Sequence, residues 1–561
     1  MQGNRLAMPI GIEDFRELVG EGYYFVDKTR FLRDLLESRG KVTLVTRPRR
    51  FGKTLTLSML QYFFDVENAE ENRKLFRGLD IERAGEKYRK EQGTRPVVFL
   101  TLKEVMAEKP AMMMELLARI LQGLFQRYPF LLASDRLTTE DKNAFQRVVG
   151  LRGSEADLRL SLSSLMQWLE KHYGIKPILL LDEYDAPIIS AWENGYYKEC
   201  IDFMRGFLGA ALKTNPSLGL AVLTGVTRVS KESIFSGLNN LRVCSVLSEP
   251  FCDIFGFTQE EAAKLMEECG VGDKLPELKR WYDGYRFGSA EIYNPWSVIR
   301  YIDGGCKFRP YWMNTSGNSI LKDLLRHVDT RRHKELQGLV QGKAVESPVM
   351  ENIVYGDLHA NRDALFMMLM TTGYLKPVET WKDRNCKEWM KLMVPNTEVR
   401  IAYETEILNH IVPRQGETLL RDLLRSMVDG NAEEFRENFS DLLRDFVSCQ
   451  DAAQPESFYH GLVLGLSVLM EGEYRVESNR ESGYGRFDLA FFPLKADAPG
   501  VILELKSAKS EEELEEKAKE ALRQIGEKAY GAELSRQGVK DVWKYGIALH
   551  GKKVWLERAL A

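Results

Sequence analysis

Short, continuously apolar runs alternate with longer amphipathic stretches through the first 250 residues. Lys41–Thr46 (KVTLVT), Pro96–Leu102 (PVVFLTL), Pro177–Leu181 (PILLL) and Leu218–Thr224 (LGLAVLT) are runs of this kind. Being short and apolar on both faces, they predict buried parallel strands with crossover helices between them. The apolar stretch Lys53–Phe64 predicts a helix directly after the first strand. From about 251 to 345 the pattern turns helical. Thr258 and Glu261 have capping-box spacing at the start of TQEEAAKLMEE, and Asn294-Pro295 fits an N-cap followed by proline at the first helical position. Residues 346–450 are expected to be mainly helical. Ala452–Glu456 (AAQPE) reads as a boundary. Beyond it the pattern predicts a helix near 457–470, strands near 474–477, 486–492 and 501–506, a charged helix near 511–530, and closing strands near 542–549 and 553–556. The expected layout is a core over 1–250, a helical lid over 251–345, a helical connecting region over 346–450 and a small α/β domain over 451–561.

At 561 residues the chain exceeds one hydrophobic core, and roughly 150 residues per domain predicts three or four units. Hydrophobic residues at 44% and charged residues at 29% are ordinary for globular proteins, so little disorder is expected. The formal charge of −4 neither demands nor excludes nucleic acid, because a local basic groove can sit within an acidic whole. The opening MQGNRLAMPIGIEDF lacks the apolar core of a signal peptide. The apolar stretch Gly461–Met470 is about half the ~20 residues a spanning helix needs, so no membrane association is expected. Seven cysteines stand singly with no CxxC pair, which predicts reduced thiols in a cytoplasm. The histidines form no metal-ligating pattern, which argues against structural zinc.

Candidate chemistry appears between the first strand and the first helix, in Arg47-Pro48-Arg49-Arg50-Phe51-Gly52-Lys53-Thr54. Gly52-Lys53-Thr54 matches the end of GxxxxGK[ST]. Gly52 would let backbone amides approach phosphate, Lys53 would reach the β- and γ-phosphates, and the Thr54 hydroxyl would bind Mg²⁺. The helix start contributes its own amides and partial positive charge. Arg47 stands where the pattern expects a glycine. Arg49 and Arg50 either add charge for phosphate or face solvent. Further on, Ile178–Leu181 ends in Asp182 and Glu183, a Walker B arrangement in which Asp182 would hold Mg²⁺ and Glu183 would polarise the attacking water. Asp185 is expected only to cap the next turn. The run LAVLT ends at Thr224, followed by Thr227 and Arg228. Either threonine could orient water or sense the γ-phosphate, and Arg228 could stabilise developing charge.

Tyr24–Thr29 (YFVDKT), RPRRFGKT, LLLDEYDAPI and LTGVTRVSKESIFSGLNNL together resemble the predicted AAA-ATPase-like family, and WYDGY at 281, YNPWS at 293 and YWMNTS at 311 continue the resemblance. It covers about residues 5–330. It implies an α/β fold with a P-loop NTPase parallel sheet carrying helices on both faces, an ATP-binding module often joined to a nuclease-like C-terminus, and arginine-rich loops where the first glycine would stand. It leaves homo-oligomerisation open. The aromatics at 281–296 are expected to pack the lid, with base stacking as the alternative.

A second constellation lies in Gly483–Asp488 (GYGRFD) and Ile502–Lys506 (ILELK). On a strand, Glu504 and Lys506 share a face while Leu505 points the other way. With Asp488 on a neighbouring strand, two carboxylates and an ammonium converge and can hold Mg²⁺ against a phosphodiester, Lys506 positioning or helping deprotonate water. This resembles the PD-(D/E)xK nuclease superfamily over about residues 455–550. The resemblance implies a restriction-endonuclease-like domain acting on DNA, with Gln524 and Tyr530 as its auxiliary glutamine–tyrosine element. Glu481 is a weaker extra acid, His460 reads as a core histidine, and EEELEEKAK from Glu511 reads as a solvated helical face. The expected function is an ATP-binding protein, an ATPase, controlling a Mg²⁺-dependent DNA nuclease. The alternative is a nucleotide-dependent switch that binds nucleic acid or a protein without cleaving it.

Overall fold

The computed structural model describes residues 7–213, 215–227, 234–235, 240–312, 335–336, 338–339, 342–350, 361–403, 417–446, 473–478, 481–482, 485–486, 488–495, 497–527, 534 and 536–560. The chain divides into two compact units, Met1–Ile401 and Ala402–Ala561.

The first unit is built on a five-stranded parallel sheet in the order β2-β3-β4-β1-β5. Its strands are β1 (Val42–Thr46), β2 (Val97–Thr101), β3 (Ile178–Asp182), β4 (Leu220–Gly225) and β5 (Leu241–Cys244). Every residue of β1 and β3 is buried, as continuous apolar runs require of central parallel strands. The edge strand β5 has no such run. Its LRVC carries an exposed Arg242, and only the pairing of Val42 with Leu241 through Val45 with Cys244 makes it a strand. Thr46 pairs with Gly225 and Thr101 with Asp182, so the carboxyl ends of β1 to β4 form one edge. In open α/β sheets that edge is where ligands bind. The helix Lys53–Phe64 begins there, entered through Gly52 at φ 80°, a left-handed backbone that glycine adopts without strain.

Beyond the sheet, Thr258 and Glu261 form the reciprocal capping box of helix Gln259–Glu268, and the Asn294 side chain caps helix Pro295–Asp303. Between them lies a hairpin of β6 (Tyr285–Phe287) and β7 (Ala290–Ile292). The aromatics expected in a lid are core: Tyr282, Tyr293 and Tyr301 are buried, and Phe308 stacks on Tyr301.

The stretch 346–450, expected to be mainly helical, also holds strands. β8 (Val345–Pro348), β9 (Lys376–Lys382) and β10 (Glu388–Met393) form an antiparallel sheet in the order β8-β10-β9. In β10, Met390 and Leu392 are buried and alternate with less buried neighbours, a period of two rather than 3.6. Asp383 closes the turn by accepting from the amides of Asn385 and Lys387. Helices Arg362–Thr371, Glu417–Val428 and Ala432–Phe446 occupy other parts of the stretch. The expected helix at 457–470, with His460 and the apolar run Gly461–Met470, lies outside the described residues. Among the described residues no helix is long and apolar enough to cross a membrane, and none of the six described cysteines is in a disulfide.

In the second unit β11 (Tyr474–Ser478), β14 (Leu489–Pro493), β15 (Gly500–Ser507), β16 (Val542–His550) and β17 (Lys553–Leu560) form a sheet in chain order, and β12 (Glu481–Ser482) and β13 (Gly485–Arg486) make a small ladder. The pairs are antiparallel except β15 with β16, whose crossover contains helix Leu514–Glu527. The expected strand at 486–492 is thus two elements, β13 ending at Arg486 and β14 beginning at Leu489, with Asp488 in neither. One face of the sheet, with Leu503, Leu505 and Ile547, packs on helices Glu417–Val428 and Ala432–Phe446. The opposite face, with Ile502, packs on helix Leu514–Glu527 through Ile525.

Beyond β10, Glu398 is linked through Trp312 to the loop that follows β1. The buried Glu398 carboxyl accepts from Ser297 Oγ at 2.7 Å and from the Trp312 amide at 2.6 Å, while the Trp312 indole donates to the Arg49 carbonyl at 3.2 Å. Burial pushes the Glu398 carboxyl up to about 8. A carboxyl raised in the folded state favours folding at low pH, and that contribution is lost as pH climbs to the folded value. Wild-type stability is therefore expected to fall between about pH 5 and about pH 8 relative to Glu398→Gln, which cannot ionise, as read from denaturation midpoints of both proteins across that window.

Candidate functional site

Asp182, the last residue of β3, is fully buried, and hydroxyls hold both its oxygens. Thr54 Oγ1 donates to Oδ2 at 2.7 Å and Thr224 Oγ1 to Oδ1 at 2.5 Å. Thr54 belongs to the first turn of helix Lys53–Phe64, and Thr224 is near the end of β4, so three elements meet on one carboxylate. Burying a charge requires such partners. Beside it, Lys53 Nζ donates to the carbonyls of Arg47 at 3.0 Å and Pro48 at 2.8 Å, with burial lowering its pKa. Its ammonium thus lies within the turn that GKT closes, held by backbone oxygens that a phosphate oxygen could replace.

Glu183 follows Asp182 with φ 50°, a left-handed backbone unusual for a residue with a side chain. Burial raises its pKa, partly offset by Lys53. The corresponding expectation for Asp185 is corrected. It makes no side-chain cap on its own helix and instead accepts from the amides of Val226 (2.9 Å) and Thr227 (2.8 Å) and from Thr227 Oγ1 (3.0 Å). Of the two candidate threonines, Thr224 therefore touches Asp182, while the Thr227 hydroxyl bonds Asp185. Arg228 lies outside the described residues.

The arginines separate by role. Arg47, at the missing glycine, is fully buried: Nη1 donates to the carbonyls of Thr46 (2.8 Å) and Cys244 (2.9 Å), and Nη2 to that of Phe251 (3.1 Å). Its guanidinium lies over the rings of Phe287 and Phe255, and burial lowers its pKa to about 10. It fastens the loop to β5 and to the segment behind it. Arg49 and Arg50 line the cavity that the loop opens onto, and Arg50 lies over the Trp296 ring at 4.6 Å. That cavity, about 540 Å³, is also lined by Lys53, Thr54, Glu183, Lys103 and Glu13, with Ile12, Phe257 and Trp296 among its apolar walls. Hard oxygens on Thr54 and Asp182 suit Mg²⁺, whose remaining ligands would be phosphate oxygens and water.

In the second unit β15 places Glu504 and Lys506 on the face toward helix Leu514–Glu527, with Leu505 in the opposite core. The Leu505 amide donates to Asp488 Oδ2 at 2.8 Å, which brings the first acid beside the ExK segment. Gln524, on the helix, donates to the Glu504 carboxylate. Asp488 and Gln524 are thereby tied to β15 beside Glu504, with Lys506 on the same strand face as Glu504. Tyr530 lies outside the described residues, as does the side chain of Glu481. Among the described residues no group of three or more His, Cys, Asp or Glu side chains clusters for a metal. Two carboxylates fit a divalent cation only with oxygens from substrate or water completing its shell. Gly546 was missed by sequence reasoning. It pairs with Glu504, and a Cβ there would sit 2.2 Å from the Ala518 carbonyl, so only glycine lets the helix carrying Gln524 lie this close.

Each unit contains a stretch that matches a known family. Residues 9–235 match the family model described as predicted AAA-ATPase, and residues 454–559 match that of the PD-(D/E)XK nuclease superfamily. The chain is also 26% identical over 500 residues, 87% of each chain, to an "Uncharacterized protein in vnfD 5'region" from Azotobacter chroococcum mcd 1.

Two outcomes follow from these contacts. Arg47→Gly restores the glycine of the motif yet orphans three carbonyls, so it is expected to cost on the order of 3 kcal/mol and to weaken nucleotide binding, read by denaturation and by fluorescent-nucleotide titration. Gly546→Val is expected to destabilise the second unit by about 1–3 kcal/mol through overpacking, seen as a lowered urea midpoint in the unfolding of that unit.

Proposed function

We propose that this chain, a predicted AAA-ATPase domain joined to a PD-(D/E)XK nuclease superfamily domain, binds and hydrolyses ATP in the first unit and cleaves DNA in the second, the nucleotide cycle governing cleavage. The observation carrying the ATPase reading is the shared carboxylate: Thr54, Asp182 and Thr224 converge beside Lys53 at the carboxyl edge of a parallel sheet. Lys53 exchanges the loop carbonyls for phosphate oxygens. Thr54 and Asp182 would hold Mg²⁺, which would supply neutralisation of charge on the phosphates. Glu183, raised by burial and projecting into the same cavity, orients and polarises water, and Thr224 keeps Asp182 in place.

In the second unit Asp488 and Glu504 are the acids that would bind Mg²⁺, and Lys506 positions the attacking water. Gln524 fixes the Glu504 rotamer. A second reading, a nucleotide-dependent switch that binds nucleic acid or a protein without cutting, draws on the Glu504 carboxylate being taken by Gln524. The two readings part in a cleavage assay on single- and double-stranded DNA with Mg²⁺ or Mn²⁺: turnover by the wild type favours the nuclease, and inactivity on every substrate with intact nucleotide binding favours the switch.

Glu183→Gln is expected to lower the ATPase kcat by about 10²–10⁴-fold while ATP still binds, the range for losing a general base. Glu504→Gln is expected to remove Mg²⁺-dependent DNA cleavage and leave ATP turnover intact. Unchanged cleavage would take Glu504 out of the reaction.

A further inference from the structure

At the mouth of the nucleotide cavity three charged side chains form a group that the functions above leave unused. Glu13 precedes the short helix Phe15–Gly20. Lys103 Nζ lies 3.1 Å and 3.0 Å from its two carboxylate oxygens, and Arg50 Nη1 lies 3.6 Å from Oε1. All three line the cavity with Lys53, Thr54 and Glu183. Each arrives from a different element: Arg50 from the phosphate loop at φ 70°, Lys103 from just past the end of β2, and Glu13 from the amino-terminal segment. Long cationic side chains that bracket one carboxylate inside a phosphate-binding cavity form a site for an anion of that size.

We infer that Glu13 stands in for the terminal phosphate of the nucleotide, and that Lys103 and Arg50 leave it for the γ-phosphate when ATP enters, so that these two cations make the site select triphosphate over diphosphate. The inference rests on the nucleotide reading of the cavity.

Geometry supports Lys103 first. β2 pairs with β3 so that Thr101 is opposite Asp182, and the Leu102 amide donates to the Asp182 carbonyl at 3.0 Å. Lys103 therefore emerges next to Glu183, on the side of the cavity where the attacking water would stand, and its charge offsets part of the burial effect on the Glu183 carboxyl. Lys53 and Lys103 thus approach the same space from the loop and from β2. Arg50 lies over the Trp296 ring, and both side chains line the cavity. Glu13 is half-exposed, so its ion pairs are inexpensive to break, and a phosphate carrying more charge outcompetes it. With ADP bound the γ-position holds no phosphate, and the cations then stay on Glu13. No covalent step is added to hydrolysis.

The test is competition binding on the full-length protein, with ATPγS and ADP each displacing a fluorescent ADP analogue in the presence of Mg²⁺. Wild type is expected to bind ATPγS more tightly than ADP. Lys103→Met should weaken ATPγS by roughly tenfold, the scale of one charge-assisted contact, and leave the ADP Kd unchanged. Lys103→Arg should retain the preference, and Glu13→Gln should tighten ATPγS without tightening ADP. Equal wild-type affinities, an equal loss for both nucleotides in Lys103→Met, or weaker ATPγS binding by Glu13→Gln would each overturn the inference while leaving the nucleotide site standing. Absence of binding of either nucleotide to folded wild type would overturn the site itself, and the inference with it.

Discussion

A carboxylate without access to solvent has to be satisfied by the protein, and in the first unit that demand organises everything around Asp182. Its oxygens draw a hydroxyl from the helix after β1 and another from β4, which fixes the spacing between the phosphate loop, the acidic strand and the neighbouring strand tip. Asp185 repeats the device three residues later, taking two amides and a hydroxyl from the chain leaving β4. The strand order β2-β3-β4-β1-β5 makes this possible, since β4 lies between the strand that supplies the acid and the strand that supplies the loop. Site and sheet are therefore one structural problem with one solution.

The second unit solves a related problem with different material. Glu504 is nearly inaccessible to solvent on a strand whose other face is core, and its partner comes from the crossover helix. The closeness of that helix depends on the missing side chain at Gly546. Asp488 is held against the strand by a backbone amide, at the point where the chain breaks between β13 and β14. In both units a buried acid on a strand is positioned by a side chain from a neighbouring element.

Much of this was legible in the residues. Continuous apolar runs marked β1 to β4, three of which lie inside the sheet, where parallel strands are apolar on both faces. The GKT turn, the ILLLDE strand and the D…ExK spacing carry their chemistry in residue order, and capping at Thr258 and Asn294 is local. What escaped was long-range. β5 is an edge strand with no run of its own, and β8 to β10 are short strands whose alternation is readable only beside their partners. Arg47 looked like a defect because the motif describes a loop in isolation, whereas its three acceptors lie on Thr46, Cys244 and Phe251. Glu398 and Gly546 act through contacts a hundred or so residues away in one case and through absent volume in the other, and neither leaves a periodic trace.

The burial of Arg47 has an electrostatic reach beyond its hydrogen bonds. Among the described residues no carboxylate pairs with it, and its pKa, though lowered to about 10, leaves it cationic at neutral pH. A whole positive charge is thus stored in low-dielectric surroundings at the base of the loop between β1 and helix Lys53–Phe64. Mobile counter-ions cannot approach it as they approach a surface lysine. Its attraction for any anion near the loop would therefore persist at ionic strengths that quench surface charges.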